Sequence, residues 1–468
     1  MRIVWIIAAA YAFVHVVFAA LRWHDMTIGA DTGIFAQAIL NAAHGFSDGP
    51  EGGSHFHYHF APLLAVLYPV VALSRTPLSL QFVQIALVAL TAPAMYALFR
   101  PYASHALCVR LAAITLLYPP LAAVGFTEFH ETAFFPILAV LLMWAADRAR
   151  WAWFAVIGAA LILTREDVGM ELAALGIGLA VVLWLRRQRG GGAGLLFGEP
   201  RQANATALAF GALGVVAAAV VTTYFRAVFA TYHSWLPSRE YVYSFANGPA
   251  QLFFAVVTKP WIAIPDIANL DKLGYLLQAL VPLLFLPLRN AWSLLAVPAL
   301  VIILASSDGG IYYVGHHYTA MWAPWLLLGA GVALAHMERR GAAHRAIWWA
   351  NGAIAACIVT LVTFNPMHLG YYLRPQYADL ASAHAALACV PRGASLSTHS
   401  MWFAQRGIEN SNSTINAADG VDYLVYALDS PDLHPWTAKR LAANVRAGRY
   451  VQVCRFGNVV TYKRRALR

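Results

Sequence analysis

The stretch HFAPLLAVLYPVVAL, residues 59–73, decides the fold that the sequence predicts. Its apolar part, residues 61–73, contains Pro62 and Pro69. A membrane-spanning helix needs about 20 apolar residues, and proline in a helix interior removes a backbone donor. We therefore expect this stretch to lie at the membrane interface or to re-enter without crossing. Every later segment takes its orientation from that choice.

The composition is that of a membrane protein. Of 468 residues, 60% are hydrophobic and 12% are charged, and the mean hydropathy is +0.59. Soluble domains carry about 25% charged residues. The net charge of +10 comes largely from basic residues between apolar runs, where they set membrane topology. We therefore expect a lipid bilayer, and not nucleic acid, as the partner of this chain.

Eleven apolar runs are candidate membrane spans, the first of them retained and not cleaved as a signal peptide. The runs are 3–21, 77–99, 111–126, 132–147, 152–164, 168–185, 205–229, 272–288, 291–306, 318–336 and 346–364. Several are short, so we expect their ends to extend into the interface. The sequence thus predicts a mainly α-helical, multi-pass membrane protein.

The distribution of basic residues fixes the predicted orientation. If residues 61–73 do not cross and the N-terminus is cytoplasmic, residues 1–364 place 13 Lys and Arg but three acids inside. The opposite face then has seven basic residues and 13 acids. Because short cytoplasmic loops are rich in Lys and Arg, this arrangement is favoured. It predicts a bacterial plasma-membrane protein with a first outer loop at residues 22–76 and an outer C-terminus.

The polar tail is long enough for a small domain. Residues 365–468 follow the predicted membrane domain, residues 1–364. Apolar runs at 394–398, 422–428, 450–454 and 458–462 predict strands, and segments 376–390 and 435–447 predict helices. This alternation indicates a small extracytoplasmic α/β domain. An oxidising location would permit a Cys389–Cys454 disulfide.

The first outer loop carries the first candidate site residues. Asp31 and Gln37 lie in a stretch whose apolar residues recur at helical spacing, which predicts an interfacial helix. Asp31 could be the N-cap of that helix, a catalytic carboxylate, or both. His55, His57 and His59 alternate, so they could chelate a metal ion or simply form hydrogen bonds.

Three further polar clusters fall on the predicted outer face, because ionisable residues at membrane borders are functional candidates. The alternative interpretations are an ordinary solvated loop for the first cluster, a local ion pair for the second and an aromatic interface belt for the third. The stretch Tyr232 to Tyr243 adds further polar residues. The clusters are Glu128, His130 and Glu131; Arg165, Glu166 and Asp167; and His316, His317 and Tyr318.

These motifs, in this order, resemble a family of predicted bacterial and archaeal multi-pass membrane proteins of unknown function. That family is similar to the GT-C class of membrane glycosyltransferases. The class has an acidic residue early in the first outer loop, matched by Asp31, and then a juxtamembrane helix, matched by residues 59–73. The resemblance implies a polyprenyl-phosphate sugar donor and chemistry at the outer face. Thr32 departs from the class, which places a second acid beside the first.

The leading hypothesis is an inverting glycosyltransferase that acts on an unknown cell-envelope acceptor. Asp31 would be the catalytic base. Arg165, His316 or His317 would neutralise the donor phosphate, while Glu128 and His130 would orient the acceptor or help hold a divalent ion. The other residues expected to bind substrate are Gln37, His59, Glu131, Glu166, Asp167 and Tyr318. A transporter or flippase, and a non-catalytic envelope protein whose basic tail binds an anionic polymer, remain alternatives.

Overall fold

The computed structural model describes residues 1–188, 200–232, 242–246, 249–374 and 380–465. Most of the polar stretch between Tyr232 and Tyr243 lies outside these residues. The described elements are mainly helices. In chain order they are α1 (Arg2–His24), α2 (Ala30–Leu40), α3 (Tyr68–Ser74), α4 (Leu78–Phe99), α5 (His105–Leu117), α6 (Pro119–Phe126), α7 (Phe135–Asp147), α8 (Trp151–Ile162), α9 (Glu166–Gln188), α10 (Pro200–Tyr232), α11 (Pro249–Thr258), α12 (Pro260–Ile267), α13 (Leu270–Leu280), α14 (Val297–Ala305), α15 (Ala323–Arg339), α16 (Ala343–Thr363), α17 (Leu369–Tyr372), α18 (Leu380–Ala388), α19 (Ser400–Arg406) and α20 (Pro435–Arg446).

Within the described residues, four helices are long and apolar enough to cross a membrane: α1, α4, α16 and the Asn204–Val228 part of α10. The pair α5 and α6 makes a fifth if it is one span, and it bends by 54°. Pro119 and Pro120 explain the bend, since neither offers a backbone N–H to the preceding turn. The run at 272–288 is likewise interrupted, because α13 ends at Leu280 and a 3₁₀ turn containing Pro282 follows. The chain is multi-pass, and the count of eleven spans stays a prediction.

Residues 62–74 form a short apolar element. A 3₁₀ helix, Pro62–Leu67, runs into α3, and the two together are shorter than a span. Arg75, at φ 54°, ends α3 in the left-handed region. Leu64, Leu67 and Val71 are buried in a cluster with Phe35 and Ile39 of α2. This part of the chain therefore packs on α2, and that it does not cross the membrane stays a prediction.

The C-terminal region contains a five-stranded mixed sheet. Its strands are β3 (Leu396–Thr398), β4 (Thr414–Ile415), β5 (Tyr423–Ala427), β6 (Tyr450–Phe456) and β7 (Val459–Arg464), after a small hairpin of β1 (Ser47–Asp48) and β2 (Gly53–Ser54). The order is β4-β3-β5-β7-β6, with β3 parallel to both neighbours and β7 antiparallel to both of its own. A disulfide joins Cys389 and Cys454, a pairing that the sequence permits but leaves open.

The C-terminal region packs directly on α2 and so helps to position Asp31. A Cβ on Gly33 would come within 3.0 Å of the Ala404 backbone, so α19 lies close against α2. Gln405 Nε2 donates to the carbonyl of Trp23 at 2.8 Å. Met26 lies in the same apolar cluster as Trp402 and Leu396. The segment before α2 is therefore held between the membrane helices and the sheet.

Candidate functional site

Asp31 lies in the first turn of α2, with its side chain half exposed. The helix is capped by Gly29, and no side chain makes the capping hydrogen bond. The interpretation of Asp31 as the N-cap is therefore wrong. Gly29 takes that position because an extended residue without a side chain leaves room there for another group. The Asp31 carboxylate is consequently available to His130 and to solvent.

His130 forms an ion pair with Asp31. Its Nε2 lies 3.3 Å from Asp31 Oδ2, and its Nδ1 lies 3.1 Å from the carbonyl oxygen of Glu128. An imidazole with both nitrogens facing oxygen acceptors is favoured in its doubly protonated form. Burial opposes charge on both groups, yet their hydrogen bond and attraction raise the pKa of His130 and lower the pKa of Asp31. Asp31 is therefore ionised near neutral pH, and its carboxylate favours the protonated form of His130.

The segment 127–130 is clamped by buried polar residues. Gln84 of α4 donates to the carbonyls of Thr127 and Glu128, at 2.9 and 3.1 Å, and accepts from the His130 N–H at 3.0 Å. Thr32 Oγ1 accepts from the Phe129 N–H at 3.0 Å. Thr32 thus faces this segment and is fully buried, which gives it a structural task where the GT-C class has a second acid.

Glu128 supplies the second carboxyl group near Asp31. Its Oε2 accepts from the Asp31 backbone N–H at 3.3 Å. Burial and the negative charge of Asp31 raise the pKa of Glu128 to about 7. Glu128 is therefore able to hold or release a proton near neutral pH, while Asp31 stays ionised. Neighbouring carboxyl groups whose pKa values are shifted in opposite directions are typical of acid–base sites.

Gly29→Ala should lower activity with little loss of stability. A Cβ at this position would overlap the Glu128 carboxylate, which must then leave the Asp31 N–H. The Gly29 φ of −73° suits alanine, so the backbone is not strained. We expect the double variant Gly29→Ala/Glu128→Ala to be no worse than Glu128→Ala alone, because both changes remove the same contact.

The control for this prediction is Gly274→Ala in α13, where a Cβ meets nothing within 4 Å. Initial rates and thermal unfolding midpoints in detergent would be measured for all four variants. Additive losses in the double variant would show that Gly29 acts independently of Glu128.

Two histidines, His316 and His317, lie in the segment after α14, and His317 contacts His130. The His317 ring stacks on His130, with centroids 3.4 Å apart and planes 13° apart. Burial and the charges of His130 and Arg165 lower the pKa of His317, so it is neutral. His316 Nδ1 lies 2.7 Å from the Gly310 carbonyl oxygen. Tyr318 packs against His317, with ring centroids 4.0 Å apart.

Arg165 lies in a buried ion-pair network. Its Nη1 is 3.3 Å from Glu131 Oε1 and its Nε is 3.4 Å from Asp167 Oδ2. The Arg165 and Glu131 side chains are both 1% exposed. That Arg165 neutralises a donor phosphate stays a prediction, and the structure does not favour it, because two carboxylates already hold this cation away from solvent. Glu131 and Asp167, expected to bind substrate, are its partners.

Glu166 and His59 join the first loop to α9. His59 Nδ1 lies 2.9 Å from Glu166 Oε1, and the Phe60 N–H donates to Glu166 Oε2 at 2.8 Å. The Glu166 side chain is 1% exposed, against 16% for His59. His59 thus stays at the edge of the site, whereas Glu166 anchors the loop and is not placed to contact substrate.

Gln37 was expected to bind substrate, and the structure gives it a different task. Its Nε2 donates to the Gly407 and Asn410 carbonyls at 3.0 and 2.6 Å, and its Oε1 accepts from the Gly49 N–H at 2.9 Å. All of its hydrogen-bonding groups are used by the backbone, and the residue is buried. Gln37 therefore ties α2 to the C-terminal region.

Sequence reasoning missed Arg22, at the end of α1. It is buried and donates to the carbonyls of Phe126 and Thr27, and its guanidinium lies 4.8 and 4.7 Å from the ring centroids of Phe126 and Tyr372. An arginine at the end of an apolar run is typical of a topology signal, so its buried contacts could not be predicted from the sequence.

A comparison with protein families identifies one that includes this chain. The family model for predicted membrane proteins named DUF2079 matches residues 22–412. The chain belongs to the DUF2079 family. That match includes every candidate site residue from Asp31 to Tyr318, and the predicted family resemblance is confirmed. No curated protein matches this DUF2079 chain in sequence.

The DUF2079 chain has a fold similar to that of membrane glycosyltransferases. ArnT from Cupriavidus metallidurans in the apo state aligns with a TM-score of 0.52 and 13% identity, over 97% of this chain and 98% of that one. The same enzyme bound to undecaprenyl phosphate aligns with a TM-score of 0.48 and 15% identity, over 97% of this chain and 98% of that one. The apo oligosaccharyltransferase of Archaeoglobus fulgidus aligns with a TM-score of 0.41 and 12% identity, over 95% of this chain and 73% of that one. At these identities the ArnT alignment establishes a shared fold.

Proposed function

We propose that this protein is an inverting glycosyltransferase that moves a sugar from a polyprenyl-phosphate donor to an acceptor at the outer face of the bacterial plasma membrane. Residues 1–364 would form the membrane domain, with the first outer loop at 22–76, and residues 365–468 an outer α/β domain. The observation that carries the proposal is the Asp31 carboxylate, ionised and half exposed. The acids around Arg165 are buried instead.

Asp31 would act as the base. Its carboxylate accepts the proton of the acceptor hydroxyl as that oxygen bonds to the anomeric carbon. The bond between that carbon and the donor phosphate oxygen breaks, and the polyprenyl phosphate leaves with the electron pair. Attack from the side opposite the phosphate inverts the anomeric centre. His130 keeps Asp31 ionised and oriented, while Glu128 is a second proton-holding group close by.

The histidines 316 and 317 remain the candidates to meet the donor phosphate. Both are neutral without substrate, because burial lowers the pKa of each. An approaching phosphate would favour the protonated imidazole, so binding the donor would itself create the cation. Stacked on charged His130, His317 is the less favourable place for a second charge. We therefore assign the phosphate contact to His316.

An apolar groove next to the site suits a lipid chain. A cavity of about 590 Å³ lies between the first loop and α10, lined by residues such as Phe56, Phe60, Val220 and Tyr224. Phe60 follows His59, so the groove begins beside the polar site. ArnT, whose fold is similar, has been crystallised bound to undecaprenyl phosphate, which supports a polyprenyl donor.

The proposal is tested by supplying membranes that carry the protein with a panel of polyprenyl-phosphate sugars. We expect transfer from at least one donor. Val220→Trp, which fills the groove, should raise the KM for that donor about tenfold or more. Val216→Trp is the matched control, because Val216 is exposed on the same helix and does not line the groove. Equal KM values for the two variants would contradict the lipid assignment of the groove.

A further inference from the structure

A second polar cluster lies in the first loop, on the hairpin of β1 and β2. Asp48 ends β1, Glu51 lies in the turn, and His55 begins the 3₁₀ turn after β2. One ligand atom from each of these side chains lies within 4.8 Å of those of the other two. Among the residues that the structure describes, no other group of three acids, histidines or cysteines brings its ligand atoms this close together. The groups around Asp31 do not form such a set.

The cluster is buried, and two of its atoms have no partner. Asp48 is 3% exposed and His55 is 1% exposed. Asp48 Oδ1 accepts from the Glu51 N–H at 2.8 Å, while Oδ2 makes no hydrogen bond. His55 Nδ1 lies 2.9 Å from Glu51 Oε2, and Nε2 makes no hydrogen bond. Buried polar atoms are nearly always satisfied, so these two point to a ligand.

The chemistry of the three side chains selects the ligand. Two neighbouring carboxyl groups removed from water cannot both stay charged on their own, so they either share a proton or bind a cation. Two carboxylate oxygens and an imidazole nitrogen form a donor set typical of Zn²⁺ and similar first-row divalent ions. Mg²⁺ and Ca²⁺ prefer oxygen donors alone. We propose that Asp48, Glu51 and His55 bind one Zn²⁺-like divalent cation.

Such an ion would hold the hairpin in place. The hairpin has two residues in each strand, and an isolated two-stranded hairpin is marginally stable in water. It nevertheless lies close to Ser413 of the C-terminal region and to Gln37 of α2. His55 also packs edge-on against Phe35, which packs likewise against His130. A metal in this cluster would therefore stabilise the wall of the Asp31 site without entering the reaction.

The test measures metal content on the full-length protein in detergent, without any sugar donor. After exposure to ZnCl₂ and desalting, we expect about one zinc per wild-type chain, as for a site that binds tightly enough to survive dilution. Asp48→Asn and His55→Gln should each retain at least about tenfold less. His57→Gln is the matched control from the same loop and should retain the wild-type amount. The proposal would be overturned if the wild-type protein retained no zinc after desalting, or if the Asp48 and His55 variants retained as much zinc as wild type.

A measurement on wild-type protein alone covers the case in which a variant fails to fold. Co²⁺ added to metal-free protein should give visible absorption bands that Zn²⁺ abolishes and Mg²⁺ does not. No bands, or bands that Mg²⁺ removes equally well, would also overturn the proposal. Because neither readout involves sugar transfer, the metal site and the glycosyltransferase proposal can fail separately.

Discussion

We expect Asp31→Asn to lower the rate of sugar transfer by about 10²–10⁴-fold, the usual contribution of general base catalysis. Asparagine keeps the size of the side chain, and its amide oxygen can still accept a hydrogen bond from His130. It cannot take a proton from the acceptor hydroxyl. The change therefore removes the proposed chemistry and leaves the packing of α2 in place.

The matched control is Asp271→Asn, at an exposed position in the first turn of α13. It should transfer sugar at the wild-type rate. Thermal unfolding midpoints and size-exclusion profiles of both variants would show that the proteins are folded. A rate within tenfold of wild type for Asp31→Asn would remove Asp31 from the role of base.

The second large effect concerns stability. Arg165→Met should lower the free energy of unfolding by about 3–5 kcal/mol, because it leaves Glu131 and Asp167 as buried carboxylates without their cation. Methionine can occupy much of the arginine volume, so the loss would come mainly from the charges. Unfolding in detergent would be followed by tryptophan fluorescence.

Arg440→Met is the control for this stability change. Arg440 pairs with Asp419 on the surface of the C-terminal region, and the two side chains are 43% and 31% exposed. Exposed pairs contribute about 0–1 kcal/mol. An Arg165→Met protein as stable as wild type but with weakened donor binding would restore the phosphate role that the structure argues against.

It could be predicted from the sequence that the polar clusters lie together, because the predicted topology places them on one face. The distribution of basic residues predicts an orientation that puts Asp31, His130 and His317 on the same side of the membrane. The structure brings these three together in one ion pair and ring stack. That residues 61–73, with Pro62 and Pro69, form an element shorter than a membrane span could also be predicted, since proline and length are local properties.

Pairings between distant loops could not be predicted. Arg165 adjoins Glu166 and Asp167 in sequence, but the burial of its charge depends on Glu131 from another loop. Gln37 resembles a binding residue until the C-terminal region covers it. Gly29 took the capping position because the Glu128 carboxylate occupies the space beside it. In each case the deciding partner lies far away along the chain.

The account is tested most directly by following the lipid product. Purified protein in lipid vesicles would be given a radiolabelled polyprenyl-phosphate sugar and an acceptor extract, and the lipid would be analysed by chromatography. We predict that wild-type protein releases free polyprenyl phosphate in step with labelled acceptor, and that Asp31→Asn releases almost none. Intact donor that moves across the bilayer without cleavage would contradict glycosyl transfer and indicate a transporter.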